Sequence, residues 1–382
     1  MKLNRLLLLI VALQIALAAR ADLASLFTNA APASVPAHRP SIIFIQCHGL
    51  ARGDLSCYGQ TNFQTPNLDR LAAAGIRFAH YSGGADSAAT TAQLLAGKNS
   101  PPAEGEANLA QRLQQNGYHT GLIGEWSLGG QPWLRGFDEF AGFMEDAEGQ
   151  NYFPEAVWRY APKSIFNETS KNYDDYAGKE MLYPNTGGKK GQYLPELFVN
   201  AMVNFVRVNE PDAANHYRPF FLLVDFSAPR TATDGADDFP VPSDAPFTGE
   251  KWPQAAKNRA ALITRIDDGI GRLFEQLNKS KTTNNVVVFF TSSAAPEKFA
   301  GTNLNFLLTA VDFHDATNSA PLPMIVNWPG QIPAGRVSDA PWRAADFAPT
   351  ALAIAQAKPT TNFTGQSVLP VLLGKKIAEK NP

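Results

Sequence analysis

After residue 40 the apolar positions follow two rhythms. Ile42-Ile43-Phe44-Ile45, Phe220 to Val224, Val286 to Phe290 and Pro323 to Trp328 are short, nearly unbroken apolar runs. Such runs are what strands buried on both faces require, so these segments, with Thr120 to Ile123, are predicted strands. Between them the apolar residues recur on a helical period. Leu68, Leu71 and Ala72 form one stripe, with Thr65 as the expected cap, Pro66 at the first helical position and Gly75 at the end. Ala92 to Ala96 is a short predicted helix stopped by Gly97, and Leu109 and Leu113 mark another ended by Gly117. Leu197, Phe198, Ala201 and Phe205 mark a fourth. The longest stripe runs from Leu262 to Leu277, and Leu352 lies on a last short helix. Residues 150–193, rich in Tyr, Lys, Asn and Gly, read as a long surface insertion.

Strands alternating with helices predict an α/β fold, a mostly parallel sheet flanked by helices on both faces. Sites in such sheets form outside the carboxyl ends of the strands. That rule singles out Cys47-His48-Gly49, Gly124-Glu125-Trp126-Ser127, Asp225 to Arg230, and Thr291-Ser292-Ser293-Ala294. These four segments are expected to meet at one edge.

The start of the chain follows another logic. Lys2 and Arg5 precede an apolar run from Leu6 to Ala18, and Ala19-Arg20-Ala21 supplies small residues for cleavage. This predicts a signal peptide over 1–21 and a secreted or periplasmic product, with the run too short to span a bilayer comfortably. Residues 22–40 read as an Ala/Pro-rich linker, 41–374 as the α/β domain and 375–382 as a tail. Removing the leader takes away three cations and no acid, moving the formal charge from −2 to −5. Without a basic surplus, nucleic acid is not an expected partner. Charged residues are 18% of the chain and hydrophobic residues 45%, which excludes intrinsic disorder. Two cysteines exclude a disulfide-dense scaffold. Cys47, at the end of an apolar run, reads as a small buried hydrophobe, with a Cys47–Cys57 bridge as the alternative in an oxidising compartment.

Several ordered motifs carry a resemblance. Gly53-Asp54-Leu55-Ser56-Cys57-Tyr58-Gly59 is followed by Thr65-Pro66-Asn67-Leu68-Asp69-Arg70-Leu71-Ala72. Gly117-Tyr118 through Gly129 precedes Arg135-Gly136-Phe137-Asp138, and Ile266-Asp267-Asp268-Gly269-Ile270-Gly271 precedes Trp328-Pro329-Gly330. In order and spacing these blocks resemble the sulfatase family of the alkaline phosphatase superfamily, over residues 41–373. The resemblance implies an alkaline-phosphatase-like fold with a smaller C-terminal subdomain. The motifs end shortly before Pro382, so that subdomain is expected to be absent or reduced. Asp54 and Asp69 belong to surviving blocks and are expected to fix turns and caps.

The resemblance also implies chemistry, which the matching residues do not supply. Sulfatases use a formylglycine made from a cysteine or serine within Cys/Ser-x-Pro-x-Arg. The matching stretch has Ser87 at the nucleophile position, Ala89 for the proline and Thr91 for the arginine. The family's cation, usually calcium, is held by carboxylates where this chain has His48 and Gly49, and by an Asp-Asn pair where it has Ser293 and Ala294. A hard cation wants about six to eight oxygen ligands, several of them carboxylates. The lysine and histidine of the second block are replaced by Glu125 and Ser127, and a later histidine by Arg230. No lysine lies between Lys298 and Lys358 to match the family's late lysine. Neither calcium nor formylglycine is therefore expected. The expected protein is a secreted sulfatase-fold pseudoenzyme, with an extracellular glycan or protein as the class of partner. The alternative is a sulfate or phosphate ester hydrolase using Ser87, with His48 or Glu125 as base. Glu125 is expected on a relaxed loop. A charge tally of Glu125 against Arg230 gives about zero for the cleft, so specific binding of sulfated saccharides there is not expected.

Overall fold

The first apolar run becomes the centre of a sheet. Strand β1 (Ser41–His48) is buried at every residue but His48. It lies between β8 (Phe220–Phe226) and β9 (Val286–Ala294), parallel to both, with Ile42 opposite Phe221 on one side and Val287 on the other. A computed structural model of the chain describes residues 38–100, 105–162, 175–232, 239–296, 322–358 and 362–375. The expected signal peptide, the C-terminal tail beyond Lys375, and most of the linker lie outside these residues. No helix among the described residues is long and apolar enough to cross a membrane.

In chain order, β1 is followed by α1 (Pro66–Ala73), β2 (Ile76–Phe78), β3 (Tyr81–Ser82), α2 (Ser87–Ala96) and α3 (Leu109–Gln115). Next come β4 (His119–Glu125), β5 (Glu139–Phe143), α4 (Asp146–Gly149), β6 (Ala156–Ala161), β7 (Tyr176–Met181) and α5 (Leu194–Val208). After β8 come α6 (Gln254–Lys279), β9, β10 (Met324–Asn327), β11 (Arg336–Ser338), β12 (Trp342–Arg343), α7 (Phe347–Ile354) and α8 (Leu369–Leu372). Ten of these strands form one sheet in the order β11-β2-β10-β9-β1-β8-β4-β5-β6-β7. Its centre, β9-β1-β8-β4-β5, is parallel throughout, as expected. The flanks are not. Strand β10 runs antiparallel to both β9 and β2, and the β6–β7 hairpin extends the other side antiparallel to β5. The insertion expected over 150–193 therefore contributes two strands to the sheet.

Alternation along β1 separates two cores. Ile43 and Ile45 pack with Leu68 of α1, Phe198 and Met202 of α5, and Ile263, Ile266 and Ile270 of α6. Ile42 and Phe44 pack on the other face with Leu94 of α2, Leu113 of α3 and Phe347 of α7. The sheet is thus covered on both sides, which explains the unbroken apolar runs.

One capping expectation is corrected. Thr65 stands at the N-cap of α1, but its side chain makes no capping bond to the helix. Its hydroxyl accepts from the Ser56 amide at 3.0 Å instead. The cap comes from α6, where Asp267 accepts from the Asn67 and Leu68 amides at 3.0 and 2.8 Å and from the Asn67 side chain at 2.9 Å. Burial raises the Asp267 carboxyl to about 6, against these hydrogen bonds, which favour the charged form.

Candidate functional site

The four segments singled out in the sequence lie at the carboxyl ends of adjacent parallel strands, β9, β1, β8 and β4. The N-terminal turn of α2 reaches this edge. The helix begins at Ser87 rather than at Ala92, because Asp86 caps it, accepting from the Ala89 amide at 2.7 Å. Ser87 is therefore the first helical residue, and it is buried. Two supports hold the β1 loop beneath. Asp54 accepts from the Ala51 amide at 2.8 Å, and Arg259 of α6 pairs with Asp54 at 2.6 Å while donating to the Gly49 and Pro229 carbonyls at 2.9 and 2.8 Å. Asp69 accepts from the Ser56 hydroxyl at 2.7 Å. Both aspartates thus hold turns, as expected.

Ser87 Oγ lies 2.7 Å from Ser293 Oγ at the end of β9. Ser293 has one hydroxyl proton and gives it to the Cys47 carbonyl at 3.1 Å. In that arrangement Ser87 is the donor and Ser293 the acceptor. Whichever of the two donates, the Ser87 hydroxyl is hydrogen-bonded to another hydroxyl.

Glu125 is not on a loop. It is the last residue of β4, paired in register with Phe143, and only 2% exposed. Its Oε2 is 3.2 Å from Arg230 Nη2, with both side chains 2% exposed. Arg230 Nη1 lies 3.3 Å from His48 Nδ1. A guanidinium has no acceptor, so Nδ1 is the lone-pair nitrogen. Gly49 turns the chain after β1 at φ +83°, and a Cβ there would stand 3.3 Å from the Arg230 Cα and the Pro229 carbonyl.

A third group joins Asp225 and Thr91, both at positions singled out in the sequence, through Gln46, which was not. Gln46 Nε2 donates to Thr91 Oγ1 at 2.8 Å and to Asp225 Oδ2 at 2.5 Å. All three side chains are buried. Burial pushes the Asp225 carboxyl up to about 7, opposed by the Gln46 hydrogen bond, the Arg230 charge and the Thr91 hydroxyl. The signal was available. Gln46 and Asp225 are polar residues inside runs otherwise apolar, and side by side in the register of β1 and β8. A buried pair of that kind needs a partner. Asp225 also adds a carboxyl that the charge tally for this edge left out.

Ser127 follows β4, half-buried, and lines a cleft of about 440 Å³ with Ala88, Ala89, Leu128 and Arg135. Cys47 is buried within β1 and neither it nor Cys57 is bridged. The donor set at the family's cation position is a poor match to a hard dication. Gly49 and Ala294 have no donor side chain, the Ser293 hydroxyl is engaged, and His48 faces a guanidinium. Among the described residues, no three His, Cys, Asp or Glu side chains are placed to hold a metal ion.

Helices on both faces of a sheet with a parallel centre, and a polar cluster at its carboxyl edge, define an α/β protein of alkaline-phosphatase-like fold. The Sulfatase family model matches residues 40–357, and the chain belongs to that family. It is 28% identical over 384 residues to human N-acetylgalactosamine-6-sulfatase, covering 89% of this chain and 67% of that protein. It is 25% identical over 430 residues to the N-acetylglucosamine-6-O-sulfatase of Bacteroides thetaiotaomicron, covering 91% and 73%. The crystal structure of Ps i-CgsB in complex with k-i-k-neocarrahexaose superposes with a TM-score of 0.70 at 25% identity, over 88% of this chain and 77% of that one.

Proposed function

We propose that this chain is a sulfatase-fold protein without sulfuric ester hydrolase activity, exported by its N-terminal leader to the secretory or periplasmic space. In this reading it carries neither calcium nor formylglycine and works by binding a glycan or protein. The observation that carries the reading is the hydrogen bond of Ser87 to Ser293 at 2.7 Å, which commits the nucleophile-position hydroxyl to another hydroxyl. A serine attacks only when a base takes its proton. His48 and Glu125, the two candidate bases, are both engaged by Arg230. Loss of acid catalysis and of transition-state charge stabilisation each lowers rate by orders of magnitude. The relatives' names refer to amino-sugar sulfatases, which makes glycans the first ligand class to try. The cleft beside Ala88, Ala89 and Ser127 has room for one. Thr91 and the internal pairing of Arg230 leave no anion clamp, so binding is expected not to depend on sulfate.

The test is a screen of the purified protein on sulfate and phosphate esters, with and without divalent cations. Rates at the level of the blank are expected. Turnover that disappears in Ser87→Ala would establish the hydrolase alternative instead. The mass of the peptide spanning residue 87 is expected to be that of unmodified serine.

A further inference from the structure

The guanidinium of Arg230 is enclosed by three elements. Glu125 Oε2 at the end of β4 lies 3.2 Å from Nη2, and His48 Nδ1 at the end of β1 lies 3.3 Å from Nη1. From α4, Gly149 comes so near that a Cβ there would stand 2.8 Å from Nη2 and 3.2 Å from Glu125 Oε2. Its charge acts on Asp225 of β8 and on the Tyr152 phenol as well. One fixed cation therefore sits among a carboxylate, a second carboxyl group and an imidazole lone pair, sealed by a glycine backbone.

We propose that Arg230 is a tethered cation, which supplies from within the chain the positive charge that a bound metal ion supplies at such an edge, and so closes it to free divalent cations. The inference rests on the reading of the chain as lacking the family's cation, and adds what stands in its place. Three physical points favour a guanidinium here. It is less strongly hydrated than a compact ammonium, so burying it is less unfavourable, and its planar fork serves two acceptors at once. Tethering makes its local concentration independent of the solution. The backbone at Gly49 also leaves no strain-free place for a carboxylate ligand, with φ at +83° and Arg230 Cα 3.3 Å from the missing Cβ.

The experiment is thermal melting of the full chain and its variants. The wild type is expected to melt at one temperature in 5 mM calcium, magnesium or manganese and in chelator. Arg230→Ala removes the cation 3.2 Å from the Glu125 carboxylate, and its Tm should fall by roughly 4–7 °C. A few millimolar guanidinium chloride should restore several degrees to that variant and nothing to the wild type, with sodium chloride as the ionic control. Absence of that rescue, or a wild-type Tm that rises with a divalent cation, overturns the proposal. Should Arg230→Ala not fold, the set Arg230→Gln, Glu125→Gln and the double variant decides. The double variant should melt well above Arg230→Gln, and a Tm no higher than the single variant's overturns the tethered-cation reading. Hydrolysis by the wild type would sink the functional reading without touching these curves. A divalent-dependent wild-type Tm would sink the tethered cation without conferring activity.

Discussion

Two buried polar regions lie on either side of the β1 loop, and they are built differently. On the α6 side, charged side chains spend themselves largely on the main chain. Arg259 binds the Gly49 and Pro229 carbonyls, and Asp267 takes the first amides of α1. On the site side, side chains face one another, as Ser87 with Ser293, Gln46 with Thr91 and Asp225, and Glu125 with Arg230. Main-chain partners are present whatever the sequence around them. Side-chain partners are not, so each member of the second region constrains the identity of the next. Asp54 and Asp267 of the first region fall in blocks that resemble the family pattern, while Ser87, Thr91, Glu125, Arg230 and Ser293 of the second stand where the chain departs from it.

That contrast can be broken most forcefully at Arg259. Arg259→Ala removes three hydrogen bonds and leaves Asp54 buried without its ion pair, a loss of about 3–5 kcal/mol. Denaturant unfolding should show it as a lower midpoint with an unchanged slope. Next in size is Asp225→Asn, expected to stabilise. The folded carboxyl titrates near 7, above its unfolded value of about 4. The native state therefore holds a proton that the unfolded state releases between those values, and stability falls as pH rises through that window. Asn removes the dependence, so the variant should gain up to about 4 kcal/mol over the wild type at pH 8 and little at pH 4. Stability measured across pH 4–8 checks the slope, and a gain that is the same at both ends would contradict it.

Asp267→Ala should come third, losing about 1.5 kcal/mol with the cap of α1. Hydrogen exchange should localise the effect to the Asn67 and Leu68 amides. Smallest is Ser87→Ala. It deletes one donor whose acceptor, Ser293, keeps its own bond to the Cys47 carbonyl, so the change is about 0.5–1 kcal/mol. A Ser87→Ala midpoint displaced as far as that of Arg259→Ala would erase the difference between the two regions.

The parallel centre of the sheet was legible because burial on both faces leaves an unbroken apolar run, and α6 because its stripe persists over several turns. Strand β10 is as apolar as its neighbours, and nothing in its residues tells an antiparallel partner from a parallel one. The start of α2 was hidden because Ala88-Ala89-Thr90-Thr91 carries no stripe, although Asp86 three residues before the amide it caps was a readable sign. The location of the site edge followed from the alternation of elements. Its wiring did not, since Glu125 with Arg230 and Gln46 with Asp225 are pairs made by strand order, and strand order is not written in any one segment.

The position of β1 also sets the order in which the molecule can be assembled. Ile42 waits for Phe221 on one side and Val287 on the other, partners that emerge from the ribosome long after it. Until then this nearly unbroken apolar run has both hydrogen-bonding edges open, and non-local pairing of this kind is slow and prone to association. The polar cluster cannot form earlier than the strands that carry it. A nascent chain shorter than about residue 294 has neither its central strand seated nor Ser87 opposite Ser293. Seating of the central strand and completion of the cluster are one event, late in synthesis.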